Sequence, residues 1–70
     1  MDVVVECYSG HTYADRPKTF YLDEERFEVE SIETEWRSPK GKHFQVISKN
    51  RITFELIYDE ANDNWRIRKP

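Results

Sequence analysis

The chain has a single cysteine, two glycines and three prolines in its 70 residues, and no apolar run exceeds three positions. Cys7 has no partner for an internal disulfide. With only His11 and His43 as further soft ligands, no zinc-binding spacing can be assembled. A reducing compartment, the cytoplasm, is the expected setting. The run Val3-Val4-Val5 is closed by Asp2 and Glu6 and is unlike the apolar stretch of a signal peptide or a membrane span, so no membrane contact is expected. Helical periodicity is missing too. No stretch of helical length places apolar side chains at i, i+3, i+4 and i+7 without a proline, a glycine or a β-branched cluster intervening.

What is present is aromatic and charged. Hydrophobic residues make up 37% of the chain, aromatic ones 14% and charged ones 36%, with a net charge of −3. Rings must therefore supply much of the buried area of one domain, residues 1–70, because so short a chain buries only about 60% of its unfolded surface. Period-two alternation recurs. In Arg51–Tyr58 it puts Ile52, Phe54, Leu56 and Tyr58 on one face and Arg51, Thr53 and Glu55 on the other, the pattern of a half-buried strand. His43–Ser48 precedes it as a hairpin partner through Lys49-Asn50, where Asn50 tolerates the left-handed backbone such turns need. Ser38-Pro39-Lys40-Gly41-Lys42 reads as a second hairpin loop, closing a strand of roughly Arg26 to Arg37.

In that strand Phe27 and Val29 share a face while Ile32, Thr34 and Trp36 have the opposite parity, which calls for a β-bulge near Ser31 or a corner between sheets. Thr19–Leu22 turns back through Asp23-Glu24-Glu25, Val3–Tyr8 offers a first strand, and Trp65–Arg68 a last one. Five to six short, hairpin-connected strands with a bend in the longest predict an all-β fold, a small antiparallel barrel or a strongly curled sheet.

The charge is blocked along the chain. Residues 23–35 hold seven acids against Arg26, whereas residues 36–54 hold Arg37, Lys40, Lys42, Lys49 and Arg51 and no acid. One expectation is cross-strand pairing, with Glu33 and Glu35 facing cations across the hairpin. The sharper expectation gathers Lys49, Arg51, Arg68 and Lys69 at one rim, with Arg66, Trp36 and Arg37 as further candidate binding residues. Such a surface suits the acidic segment of a protein partner. It also suits single-stranded nucleic acid, with rings stacking on bases and cations tracking phosphate. The isoelectric point near 5.3 weighs against the second.

Trp36 and Trp65, each followed by arginine, are expected as core anchors, His43 as a rim residue without chemical consequence, and Cys7 as a small core residue. Ser9, His11 and Asp15 are the residue types of a hydrolytic triad but lack a nucleophile elbow. Asp59–Asn64 is rich in oxygens but lacks the glycine and distal glutamate of a calcium loop, so it is expected to be a turn whose side chains cap backbone amides. The sequence therefore predicts a monomeric, non-enzymatic module, without cofactor, that binds a protein partner. Nucleic acid is the alternative.

Tyr13-Ala14-Asp15-Arg16-Pro17, Phe27-Glu28-Val29-Glu30, Trp36-Arg37, Phe44-Gln45-Val46 and Tyr58-Asp59-Glu60-Ala61 with Trp65 together resemble a small uncharacterised prokaryotic domain family, over about residues 10–68. The resemblance implies an accessory role near translesion DNA polymerases and the DNA damage response, and it supplies no catalytic residue. It also implies that the loop Tyr13–Pro17 is coupled to the turn Tyr58–Trp65, for example through Arg16 and Asp59 or Glu60.

Overall fold

The alternation of the sequence becomes six strands: β1 (Asp2–Cys7), β2 (Pro17–Leu22), β3 (Glu25–Ser38), β4 (Gly41–Ser48), β5 (Thr53–Asp59) and β6 (Asn64–Arg68). The structure is a computed structural model and describes residues 2–7 and 16–69; within them there is no helix long and apolar enough to cross a membrane. Each strand pairs antiparallel with the next, and β6 returns to β1, closing a small barrel. Closure removes the open sheet edges that would otherwise invite pairing with other chains. The closing seam is the shortest ladder, with Asp2 opposite Arg66 and Val3 opposite Trp65.

β3 is long enough to serve two neighbours. Its first residues pair with β2, from Leu22 opposite Glu25 to Thr19 opposite Glu28. Its remainder pairs with β4, from Val29 opposite Ser48 to Ser38 opposite Gly41. The bulge expected near Ser31 is present, and a second follows it: the register slips between Val29 and Ser31 and again between Ile32 and Thr34. Each slip adds one residue and flips the parity of everything beyond it. Phe27 and Val29 point inward, the first slip keeps Ile32 facing the core opposite Val46, and the second turns Trp36 outward opposite His43. Bulk alone predicts a core position for Trp36. It lies 40% exposed on the outer wall, while Trp65 is half-buried against the core.

The interior is packed with rings. Phe20 and Phe27 stack at 5.2 Å between centroids, and Phe54 meets both edge-on at 5.0 and 5.1 Å. Toward the other mouth, Trp65 closes on Phe44 and Tyr58 at 5.8 and 5.2 Å. Offset and edge-on arrangements of this kind add to the area buried.

The turns are unusual in what they ask of side chains. The two-residue turn Asp23-Glu24 holds both residues at positive φ, 51° and 68°, the mirror-image geometry that matches strand twist and is normally given to Asn-Gly. In the β4–β5 turn the left-handed residue is Arg51 at φ 69°, not Asn50. The buried hydroxyl of Ser48 organises that turn instead, donating to Asn50 Oδ1 and accepting from the Ile52 amide at 3.1 Å. Ile52 therefore stands just outside β5 and is exposed, whereas Phe54, Leu56 and Tyr58 are buried as expected. Pro39-Lys40 closes β3 onto β4, and Gly41 follows at φ +140° with a position for Cβ only 1.9 Å from the Tyr58 carbonyl oxygen. No side chain fits there.

The expected ladder of ion pairs is absent. Glu33 sits in the second bulge, where it accepts from Ser31 Oγ at 2.9 Å, and Glu35 stands opposite Phe44. Of the acidic block, Glu28 meets Arg26 of its own strand at 3.6 Å and Lys49 at 3.7 Å, while Arg37 is taken by Glu60 of the β5–β6 turn at 2.7 Å.

Candidate functional site

The barrel has two rims. One carries the turns Asp23-Glu24 and Lys49–Ile52 together with Lys69; the other carries Pro39-Lys40 and Glu60–Asp63. The topology brings Lys49, Arg51, Arg68 and Lys69 to the first rim, as their places at the strand ends suggested. The acidic turn comes with them. Asp23 lines the same mouth of the barrel as Lys69, Lys49 lies beside Glu28, and the Lys69 ammonium sits 6.0 Å from the Phe54 ring. The rim is thus interleaved in charge. Arg66, Arg37 and Trp36 lie away from it, toward the second rim.

On the outer wall, from the second rim back toward the first, the register builds a continuous face of mixed character. One row runs Trp36, His43, Ile57, Arg66 across β3, β4, β5 and β6; the next runs Thr34, Gln45, Glu55, Arg68. Beside the first row lies a groove of about 360 Å³, lined by Pro39, Lys40, Ile57, Asp59, Ala61, Asn62 and Arg66. Its apolar lining residues are Pro39, Ala61 and Ile57, the last only 9% exposed. The acid in it is already engaged: Asp59 Oδ1 accepts from the Ala61 and Asn62 amides at 3.1 and 3.2 Å, and Oδ2 from the Asn62 side chain at 2.8 Å. These bonds, the Asn62 side chain first, hold the Asp59 carboxyl below its usual range. The expected amide-capping turn is what forms, and among the described residues no cluster of His, Cys, Asp and Glu could hold a metal.

Arg66 reaches Asp59 only at 3.9 Å and stays well exposed, while Lys40 and Arg68 have no carboxylate within ion-pair distance among the described residues. Arg37 is different. It grips Glu60 with two parallel bonds of 2.7 and 3.1 Å, tying the end of β3 to the β5–β6 turn. That grip lowers the Glu60 carboxyl and raises the guanidinium further above its ordinary value. Glu60 and Asp59 thus have partners in Arg37, Asn62 and Arg66. Of the loop that the resemblance would couple to them, Tyr13, Ala14 and Asp15 lie outside the described residues, as do Ser9 and His11.

His43 reverses its expectation. It is buried, 7% exposed, although it faces outward, because Trp36 lies flat over it at 5.0 Å and an interplanar angle of 15°. Its Nδ1 is 2.8 Å from Glu55 Oε2 and its Nε2 is 2.6 Å from Ser38 Oγ. Hairpin geometry explains the meeting: Ser38 and His43 stand on facing strands across the two-residue turn, and Glu55 lies one row along on β5. Sequence reading missed Ser38, His43 and Glu55. The signal was there in the outward parity that His43 and Glu55 share once Phe44 and Phe54 are placed inside.

Comparison with protein-family models, with curated proteins and with solved structures finds no match to this chain.

Proposed function

We propose that the chain is an interaction module that docks an extended acidic segment of a protein partner along the outer groove between Lys40 and Arg66. One observation carries the reading. The groove joins an apolar floor, Ile57 with Pro39 and Ala61, to two cations, while its acid, Asp59, is occupied by Asn62 and by backbone amides. A partner would seat one aliphatic side chain on Ile57 and set carboxylates against Lys40 and Arg66, with Arg68 extending the track. Complementary charge of this kind steers encounter and fixes register more than it adds raw affinity. The alternative partner, single-stranded nucleic acid, finds less support, because Lys49, Arg51 and Lys69 share their rim with Asp23, Glu24 and Glu28.

The test uses a fluorescein-labelled acidic heptapeptide with a central leucine, its serine counterpart and a labelled oligothymidylate, followed by anisotropy. The leucine peptide binds saturably, the serine peptide more weakly, and Lys40→Glu with Arg66→Glu loses about tenfold or more in affinity. Peptide binding that these two substitutions leave unchanged overturns the reading. So does an oligothymidylate that binds while the peptide does not.

A further inference from the structure

The groove explains Lys40, Ile57 and Arg66, but not why a histidine is buried on the outside of the barrel between a serine and a glutamate. Core packing needs no histidine there, since the interior lies on the other face of β4, where Phe44, Val46 and Ser48 point. The hydrogen bonds fix the chemistry. A carboxylate only accepts, so the 2.8 Å contact to Glu55 places the imidazole proton on Nδ1. In the neutral imidazole Nε2 then has a bare lone pair, into which the Ser38 hydroxyl donates across 2.6 Å. On the other side of Ser38 Oγ the Lys40 amide donates at 3.1 Å. A hydroxyl that gives its proton toward a base and receives a donor on its oxygen is polarised toward alkoxide. Nucleophile, base and orienting acid within hydrogen-bond reach are the geometric signature of covalent acyl transfer, recognised by role and not by order in the chain.

We propose that Ser38 is an activated nucleophile that accepts an acyl group from a carboxylic ester, with His43 as general base and Glu55 as the positioning residue that holds its tautomer. The step balances. Ser38 Oγ bonds to the ester carbonyl carbon as its proton passes to His43 Nε2. The tetrahedral adduct collapses, the carbon–alkoxide bond breaks, and the leaving oxygen takes that proton from His43, giving acyl-Ser38 and an alcohol. Water can repeat the sequence and release the acid. The residues that follow Ser38, Pro39 and Lys40, already form one wall of the apolar groove. A short aliphatic acyl chain of an uncharged or anionic ester is the substrate class that suits it. The reacting groups Ser38, His43 and Glu55 do not line the groove, so acylation of Ser38 is tested separately from the acidic-segment reading, although the acyl chain and the segment would share that groove.

The experiment treats the whole chain with para-nitrophenyl acetate and, separately, with a fluorophosphonate probe, maps adducts by mass spectrometry and follows nitrophenolate release. Expected is a burst of about one nitrophenolate per chain, with the adduct on Ser38 and not on Ser48 or Ser31. Ser38→Ala abolishes it. His43→Ala slows acylation by about 100-fold or more, and added imidazole restores part of the rate. Glu55→Gln slows the acylation step while leaving the ester concentration at half-saturation unchanged, a split that loss of folding would not produce; circular dichroism confirms each variant folded. Two results overturn the proposal: no adduct at Ser38 in the folded wild-type chain, or labelling of Ser38 at an equal rate in wild type and His43→Ala.

Discussion

Two of the molecule's aromatic clusters contrast in what they hide. Inside, Phe20, Phe27 and Phe54 pack on one another, and Phe20 and Phe54 have no exposed surface at all. Outside, Trp36 covers His43, and beneath that cover lie bonds to Ser38 and Glu55 in place of methylenes. The first cluster gains free energy from area removed from water, which scales with the number of carbons hidden. The second hides a polar ring, whose desolvation its own hydrogen bonds roughly offset, so it contributes geometry more than stability.

Truncation separates the two clusters, and the largest effect belongs to the interior. Phe54→Ala removes the buried ring that meets both Phe20 and Phe27 and leaves a cavity in the interior. Its expected cost is about 3–5 kcal/mol, read as a shift of the urea midpoint at unchanged slope. His43→Ala is the matched outer truncation. It frees Glu55 and Ser38, both partly exposed and able to take water, so about 1–2 kcal/mol is expected. Equal losses for the two would break the distinction and make the outer cluster a second core.

Much of this arrangement is legible in the chain before any coordinates. The alternation of β5, the Pro39–Gly41 hairpin, the bulge near Ser31 and the amide-capping turn at Asp59 each follow from local residue chemistry. The outward turn of Trp36, and with it the cover that buries His43, was illegible for one reason. Parity tells which residues share a face only while the register is unbroken, and the second slip, at Glu33, carries no residue signature that marks it. The candidate cations were legible in position and illegible in environment. Lys49, Arg51, Arg68 and Lys69 do reach one rim, but the Asp23-Glu24 turn reaches it too, because alternate hairpins of a meander return to the same end. Charge blocks separated in sequence are folded together by the topology.

A smaller effect, of the opposite sign, sharpens the contrast between interior and exterior. Asp23 and Glu24 both occupy the left-handed region, which costs a residue with a Cβ about 1 kcal/mol. Asp23→Asn with Glu24→Gly supplies the pair this turn geometry favours, and a gain of about 1 kcal/mol in urea denaturation is expected. The same exchange thins the acidic side of the rim shared with Lys49 and Lys69. It should therefore raise affinity for oligothymidylate if the acids there suppress nucleic-acid binding.

The smallest effect distinguishes two neighbouring carboxyls that are both held low, for different reasons. Glu60 is lowered chiefly by the Arg37 side chain, Asp59 chiefly by the Asn62 side chain. For either group the folded pKa lies beneath the unfolded one. Its contribution to stability is therefore complete above the ordinary carboxylate range near 4 and is lost as pH falls through the lowered value. Glu60 is exposed and Asp59 partly so, and the sensitive readout is the titration of each carboxyl by carbon NMR. Arg37→Ala should return Glu60 to its ordinary range and leave Asp59 low, and Asn62→Ala should raise Asp59 and leave Glu60 low. If one substitution moved both, the turn between β5 and β6 would be a single electrostatic unit. The groove wall formed by Asp59 would then depend on the Arg37 clasp, which now only ties the end of β3 to that turn.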